Sequence, residues 1–362
     1  MRNRFQSATS SPSSGAPSAE SVRQPRATIR DIAQLAGVSI ATVSRVLNGR
    51  PDVSAETREA VLEVVRRERF STNRSARGLS GGRTGLVGVM VPVVHADYFM
   101  FMLSGLAEAL YEQDLRGVIC PTMHEHEREV GLLDRLMHGT TDGAILMLPT
   151  ETSDELKALN HAGFPFVVLD PRVPLDDGIA SVSAANTSGG RAATEHLLAL
   201  GHRRIAAITG PSGWTATEDR LVGYRAALAG AGVMRDPELE VTADFLIEDG
   251  YRETTRLLSR AEPPTAIFGL NDNIAVGAVR AARAAGVRVP EDLSVVGFDD
   301  SERAEILSPA LTTVRQPLGE MGRMAVSLLT RLLDGQRLEA LKVELATKLI
   351  VRESTAPPRS SA

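Results

Sequence analysis

Between residues 86 and 298 the chain alternates short β-branched runs with helical patterns, and no other feature restricts its fold as much. Apolar runs at 86–91, 117–120, 144–148, 166–169, 205–209, 266–268 and 294–298 read as strands. Between them, apolar spacing near the helical period predicts helices over 99–110, 127–137, 154–161, 187–200, 221–231, 251–258 and 274–284. An amphipathic helix over 321–332 and a closing strand over 343–351 complete the pattern. Alternation of this kind implies parallel sheets covered by helices on both faces, and its length calls for two lobes. Doubly wound sheets bind ligands beyond the carboxyl ends of their strands. The polar residues at those ends are Asp170, Asn271 and Asp299, and Arg220 opens a helix. Carboxylates, amides and guanidinium groups hold adjacent hydroxyls through paired hydrogen bonds. Taken singly, each acid or amide reads equally well as a helix cap or a solvated loop residue.

The stretch from Thr28 to Gly49 carries a different pattern. Thr28 with Asp31 three residues on is a capping signature, and Ile29, Ile32, Ala33 and Ala36 follow at helical spacing. Gly37 supplies a left-handed turn, and Ser39 can cap a second helix. In that helix Val43, Val46 and Leu47 face inward with Val38, which leaves Ile40, Ala41, Ser44 and Arg45 outside. Two short helices across a tight glycine turn make a helix-turn-helix, whose second helix offers its N-terminal residues to the DNA major groove. An outward Arg can bond two base acceptors at once. The competing reading is an ordinary helical hairpin inside a core. Val61, Leu62, Val64, Val65 and Phe70 give a third helix the apolar face that closes a three-helix head.

Charge is divided to match. Up to Arg83 there are 14 Arg, no Lys and seven Asp or Glu, a net +7; the remainder holds 26 basic against 38 acidic residues, a net −12. One end suits a polyanion and the rest does something else. Residues 1–26, rich in Ser, Pro and Ala, read as a disordered tail. No apolar run is long enough to span a membrane, and no signal-peptide core precedes the head. A single cysteine, Cys120, excludes an intrachain disulfide framework.

The string Ala-Gly-Val-Ser-Ile-Ala-Thr-Val-Ser-Arg-Val-Leu-Asn, ending at Asn48, closely resembles the head of the lactose-repressor (LacI) family of bacterial transcription regulators. The likeness runs from Thr28 to about Pro358, with Leu-Thr-Thr-Val-Arg-Gln-Pro ending at Pro317 and Arg-Glu-Ser-Thr-Ala-Pro starting at Arg352. It implies an N-terminal helix-turn-helix head over 27–71, a hinge helix or linker over 72–83, and a two-lobed α/β core resembling periplasmic binding proteins over 84–358. The first lobe is expected over about 84–184 and 316–344, the second over about 185–315 and 345–353. DNA contacts are implied for Thr28, Ser39, Ile40, Ala41, Thr42, Ser44, Arg45 and Asn48, and for Asn73, Arg77 and Leu79 of the hinge. Leu79 stands where the family wedges a Leu between base pairs, which kinks the duplex. Thr72 replaces a usual Pro, and Gly78 costs the hinge helix about 1 kcal/mol relative to Ala. A hinge that folds only on DNA is expected.

For the effector cleft the resemblance implies Asp170, Arg220, Asn271, Asp299 and Gln316, with rings from Tyr98, Phe99 and Phe245 beside the ligand. Ala96-Asp97 stands in place of a frequent Asn-Pro, Ala185-Asn186 in place of Asp-Asn, and Pro171 separates Asp170 from Arg172. Trp214 can stack on a ligand or pack in a surface loop. A sugar is the effector class the resemblance favours, a purine or nucleoside the alternative. His124 and His126 have the look of a metal motif but lack further ligands, so no metal and no cofactor are expected. Neither a phosphate loop nor a nucleophile elbow is present, and no enzyme is expected. No leucine heptads follow the family terminus, so a homodimer is expected, in the cytoplasm and without a membrane partner. The rival reading is a small-molecule-binding protein that reads no DNA.

Overall fold

The computed structural model describes residues 27–47, 50–68, 83–94 and 96–359. Two compact units divide the chain, residues 1–76 and 77–362. The tail over 1–26 and almost all of the hinge segment lie outside the described residues, as does Phe70.

Three helices form the described part of the first unit: α1 (Ile29–Leu35), α2 (Ile40–Leu47) and α3 (Ala55–Arg67). Thr28 and Asp31 make a reciprocal capping box, with the Asp31 carboxylate accepting from the Thr28 amide at 2.7 Å. Gly37 holds φ at +65°, which a residue with a Cβ adopts only at a cost, and so turns the chain into α2. The Ser39 hydroxyl accepts from the Thr42 amide at 3.1 Å, and Ser54 caps α3 the same way at 3.2 Å. Ile32, Ala33, Val43, Val46, Val61 and Val64 close the core, with Val38, Leu47, Leu62 and Val65 packed against it. Arg58 on α3 donates to the carbonyls of Val46 and Arg50, satisfying acceptors that the end of α2 leaves open.

Among the described residues the second unit holds two large sheets and a two-stranded one. Its first lobe contains β1 (Leu86–Val91), α4 (Asp97–Glu112), β2 (Arg116–Pro121), α5 (His126–Arg135), β3 (Gly143–Met147), α6 (Ser153–His161), β4 (Phe166–Leu169) and β5 (Ser181–Ala184). The second lobe contains α7 (Asn186–Ala199), β6 (Ile205–Ile208), α8 (Thr215–Gly230), β7 (Glu240–Val241), α9 (Ile247–Leu258), β8 (Ala266–Gly269), α10 (Asp272–Ala284), β9 (Ser294–Val296), α11 (Glu302–Ile306) and β10 (Thr313–Arg315). The chain then returns to the first lobe as α12 (Leu318–Leu333) and β11 (Lys342–Leu345), and ends in the second with β12 (Lys348–Ile350).

Among the described residues the first lobe has six parallel strands in the order β11-β5-β4-β3-β1-β2, the second four in the order β7-β6-β8-β9. Strands with both faces covered read as unbroken apolar runs, and β1, β3 and β4 accordingly bury nearly every residue. The closing strand expected over 343–351 is two strands in different lobes: β11 pairs with β5, while β12 pairs antiparallel with β10. Residue 345, expected in the second lobe, therefore pairs with Ala184 in the first. Beyond 353, Ser354 and Ala356 bond to Val295 and Ser294 and extend the second lobe.

Three chain segments cross between the lobes, and they lie side by side. The Ala185 amide donates to the Leu345 carbonyl at 2.8 Å, and Thr347 donates back to the Ala185 carbonyl at 3.4 Å. The third crossing, Gln316-Pro317, continues β10 and so neighbours the start of β12.

Candidate functional site

On the head, α2 presents Ile40, Ala41 and Arg45 to solvent, and Ser44 is half-buried. Ile40 is 46% exposed, unusual for an Ile in a small core-forming helix and suited to an apolar contact outside. Arg45 lies 3.4 Å from Asp52, both well exposed, so the pair holds the guanidinium only loosely. The Ser39 and Thr42 hydroxyls bond each other at 2.9 Å, and Thr28 is engaged with Asp31. Asn48, Asn73, Arg77 and Leu79 lie outside the described residues.

In the second unit the strand ends converge between the lobes. Asp170, directly after β4, holds φ at +56° and is buried. Its carboxylate accepts from the Tyr98 hydroxyl, in the first turn of α4, at 2.6 Å. Burial raises the pKa of both groups, and the neighbouring Asp170 charge adds to the rise at Tyr98. From the other lobe comes Arg220, in the second turn of α8 and buried. It donates to the Asn186 amide oxygen at 2.8 Å and the Leu270 carbonyl at 2.5 Å. Its guanidinium carbon lies 3.7 Å from the Phe298 ring centre, and one nitrogen lies 4.0 Å from Asp299. Gln316 donates to the same Asp299 oxygen at 2.7 Å. Burial pushes Asp299 up to about 8 despite Arg220, with the Asp272 and Asp170 charges adding to the rise. Asn271 caps α10 by accepting from the Ile274 amide at 2.9 Å, and its nitrogen donates to the Phe245 carbonyl at 3.3 Å. Phe245 lies against Gly210 and tilts towards Trp214, with ring centres 5.7 Å apart.

Tyr98, Asp170, Arg220, Asn271, Asp299, Gln316 and Phe245 all sit at or beside these strand ends. Phe99 does not join them. It is 6% exposed in the first lobe's core, meeting the Tyr98 ring edge-on at 5.4 Å.

Side chains that the sequence left unassigned bring the lobes together. Arg172 stacks on Trp214 at 4.4 Å, and the Thr215 amide donates to the Arg172 carbonyl at 2.9 Å. Asp97 meets Arg303 of α11 at 2.6 Å. Asn186, which orients Arg220, opens α7 immediately after the first crossing. Its only signal in the sequence was its place in the Ala185-Asn186 pair.

Near Arg172 lies a buried acid, Glu129 on α5, which neighbours a second, Glu151 after β3. Glu129 accepts from the Thr150 amide at 3.0 Å and from its hydroxyl, and both Glu151 oxygens are buried. Burial, then the Glu129 charge, pushes Glu151 up to about 8. An unfolded Glu titrates near 4.3, so the neutral form's contribution to stability is complete below that value and lost as pH rises through about 8. The melting temperature is expected to fall between pH 6 and pH 9, and less steeply in Glu151→Gln. Equal slopes in scanning calorimetry would show that Glu151 does not carry the effect.

His126 pairs with Glu155 at 3.1 Å. Among the described residues no group of three or more His, Cys, Asp or Glu is arranged to hold a metal, and no helix is long and apolar enough to cross a membrane.

Comparison with known proteins agrees with this arrangement. Residues 28–73 match the model of bacterial regulatory proteins of the lacI family, and residues 194–355 match a periplasmic binding protein-like domain. The chain is 36% identical over 338 residues to the HTH-type transcriptional regulator DegA of Bacillus subtilis (strain 168), covering 92% of this chain and 99% of DegA. A solved transcriptional regulator CelR–cellobiose complex is 36% identical with a TM-score of 0.70, covering 91% of this chain and all of that one. The lac repressor dimer bound to operator and the anti-inducer ONPF is 29% identical with a TM-score of 0.81, covering 92% of this chain and all of that one. With its helix-turn-helix head and two-lobed core, the chain belongs to the LacI family of DNA-binding transcription regulators.

Proposed function

We propose that this regulator is a cytoplasmic homodimer that represses transcription, and that a sugar held between its lobes sets its affinity for operator DNA. The observation that carries the reading is the convergence of Asp170, Arg220, Asn271 and Asp299 at strand ends of two lobes. Two carboxyl groups, an amide and a guanidinium offer paired donors and acceptors to neighbouring hydroxyls, and Phe245 and Trp214 offer apolar ring faces. The relative CelR was solved with cellobiose, which supports a sugar at this place.

In this reading the head (27–71) reads half of a near-palindrome through Ile40, Ala41 and Arg45, with Thr28, Ser39, Thr42, Ser44 and Asn48 on its phosphates and base edges. The linker (72–83) lays Asn73 and Arg77 along the minor groove and drives Leu79 between base pairs. Each lobe belongs to a core over 84–358. Sugar hydroxyls exchange with the contacts that Arg220, Asp299 and Tyr98 make to the protein, and the angle between lobes changes. A ligand shifts such an equilibrium only by the difference between its affinities for the two states.

The test is selection of genomic fragments by the purified full-length protein, followed by addition of cellobiose, ribose or guanine to the enriched complex. One near-palindrome, with occupancy changed by a sugar, is expected. A response to guanine alone would overturn the sugar assignment. Absence of enrichment, even with a metabolite extract, would overturn operator reading.

A further inference from the structure

Asp299 does not point into the cleft by default. It and Asp300 hold φ at +123° and +60°, a region that costs a residue with a Cβ roughly 1–3 kcal/mol unless its surroundings impose it. The Asp299 amide donates to the Val314 carbonyl and its carbonyl accepts from the Gln316 amide, and the far end of the turn is held by Asp272, the first residue of α10, which is 1% exposed. One carboxylate oxygen accepts from the Ser301 amide at 2.7 Å and the other from the Thr313 hydroxyl at 2.5 Å, while its amide donates to the Phe298 carbonyl at 2.7 Å. The carboxylate thus holds the Ser301 end of the strained turn and ties it to β10, while the backbone amide of the same residue holds the Phe298 end. Room for the carboxylate exists because residue 297 is Gly: a Cβ there would lie 2.3 Å from an Asp272 oxygen.

We infer that Asp272 is a positioning residue for effector recognition, holding the turn that aims Asp299 into the cleft. The inference rests on the reading of Asp299 as an effector ligand. Asp272 also follows Asn271 directly, so one helix start fixes two of the groups offered to the ligand. The charged groups around the turn are Asp299 and Asp300 on it, Arg315 on β10 at 2.6 Å from Asp300, Arg352 after β12 at 2.7 Å from Asp300, and Arg220 on α8. Burial, with the Asp300 charge, pushes Asp272 up to about 6. Below that pH the carboxyl gains a proton and loses acceptor capacity, so the turn loosens as the solution is acidified.

The deciding experiment is the crystal structure of full-length Asp272→Ala, Gly297→Ala and Asp272→Asn. In Asp272→Ala, residues 299 and 300 are expected to leave positive φ and the Gln316–Asp299 contact to open. Gly297→Ala, which displaces the carboxylate without removing a charge, is expected to do the same, and it decides the matter if Asp272→Ala does not fold. Asp272→Asn, which like the protonated carboxyl keeps a single acceptor oxygen, is expected to loosen the turn at every pH as acid does in the wild type. An unchanged turn in Asp272→Ala, or in Gly297→Ala with the carboxylate displaced, would overturn the inference. Calorimetric titration with cellobiose is expected to show at least tenfold weaker binding in Asp272→Ala. In the wild type, affinity should fall below about pH 6, and in Asp272→Asn this fall should be absent; a wild-type profile flat through pH 6 counts against the inference. Failure of cellobiose to bind wild type, or wild-type affinity in Asp299→Ala, counts instead against the sugar reading, and the crystal structures still decide the turn.

Discussion

Arg220→Ala is expected to abolish the effector response and to destabilise the core by about 3–5 kcal/mol, the range for removing one partner from a buried charge cluster. The change strips donors from Asn186 and the Leu270 carbonyl and removes the cation nearest Asp299. The loss has a pH signature. Asp299 already has a raised pKa of about 8, held down only by Arg220 and the Gln316 hydrogen bond. Without the cation it rises further. A folded-state pKa above the unfolded value gives stability that is complete below the unfolded pKa and lost as pH rises through the folded one. Urea unfolding should therefore show a larger deficit at pH 9 than at pH 6. A lysine cannot restore the arrangement, because an ammonium lacks the planar fork that serves Asn186 and Leu270 together. A deficit equal at both pH values would show that Asp299 does not feel Arg220.

Arg45→Ala is expected to remove operator preference while leaving the fold and ligand binding intact. One bidentate contact to a base pair discriminates by about 1–3 kcal/mol. Lost from both heads of a dimer, that amounts to roughly a hundredfold or more in the ratio of operator to nonspecific binding. Stability should barely move, since an exposed pair such as Arg45–Asp52 contributes at most about 1 kcal/mol. Gel-shift competition against random DNA reads the ratio directly. A lost ratio accompanied by a melted head would assign Arg45 to the fold rather than to base reading.

Much of this molecule was legible in its sequence because its strands are buried on both faces. Runs such as Phe-Val-Val-Leu before Asp170 have one plausible conformation in a chain of this length, and the polar residue that ends them marks the cleft. Strand β5, Ser-Val-Ser-Ala, carries no such run; it is a strand because β4 and the distant β11 pair with it on either side. The same holds for β10 and β12, three residues each: β10 is held between β12 and the backbone of 296–299, both distant from it in the chain. Helix α8 begins at Thr215, well before the expected 221, because its first turns are polar where they border the cleft. At the site, the strand-end acids and amide could be read from chemistry, but Asn186, Arg172–Trp214 and Asp97–Arg303 could not. Each joins segments far apart in the chain, 206 residues in the last pair, and no local pattern encodes such a meeting. Two adjacent rings, Tyr98 and Phe99, were both expected beside the ligand. Helical spacing places them about 100° apart, so one reaches Asp170 and the other fills the core.

The three crossings between lobes, bonded flank to flank through Ala185, Leu345, Thr347 and the β10–β12 pair, have a mechanical consequence. Three tethers bonded to one another along their flanks cannot twist independently, so the crossings behave as one strip rather than as three separate linkers. The tethers are also part of the wall they join: Gln316, in the third crossing, donates to Asp299, so a shift of the crossings moves a hydrogen bond at the strand ends with it.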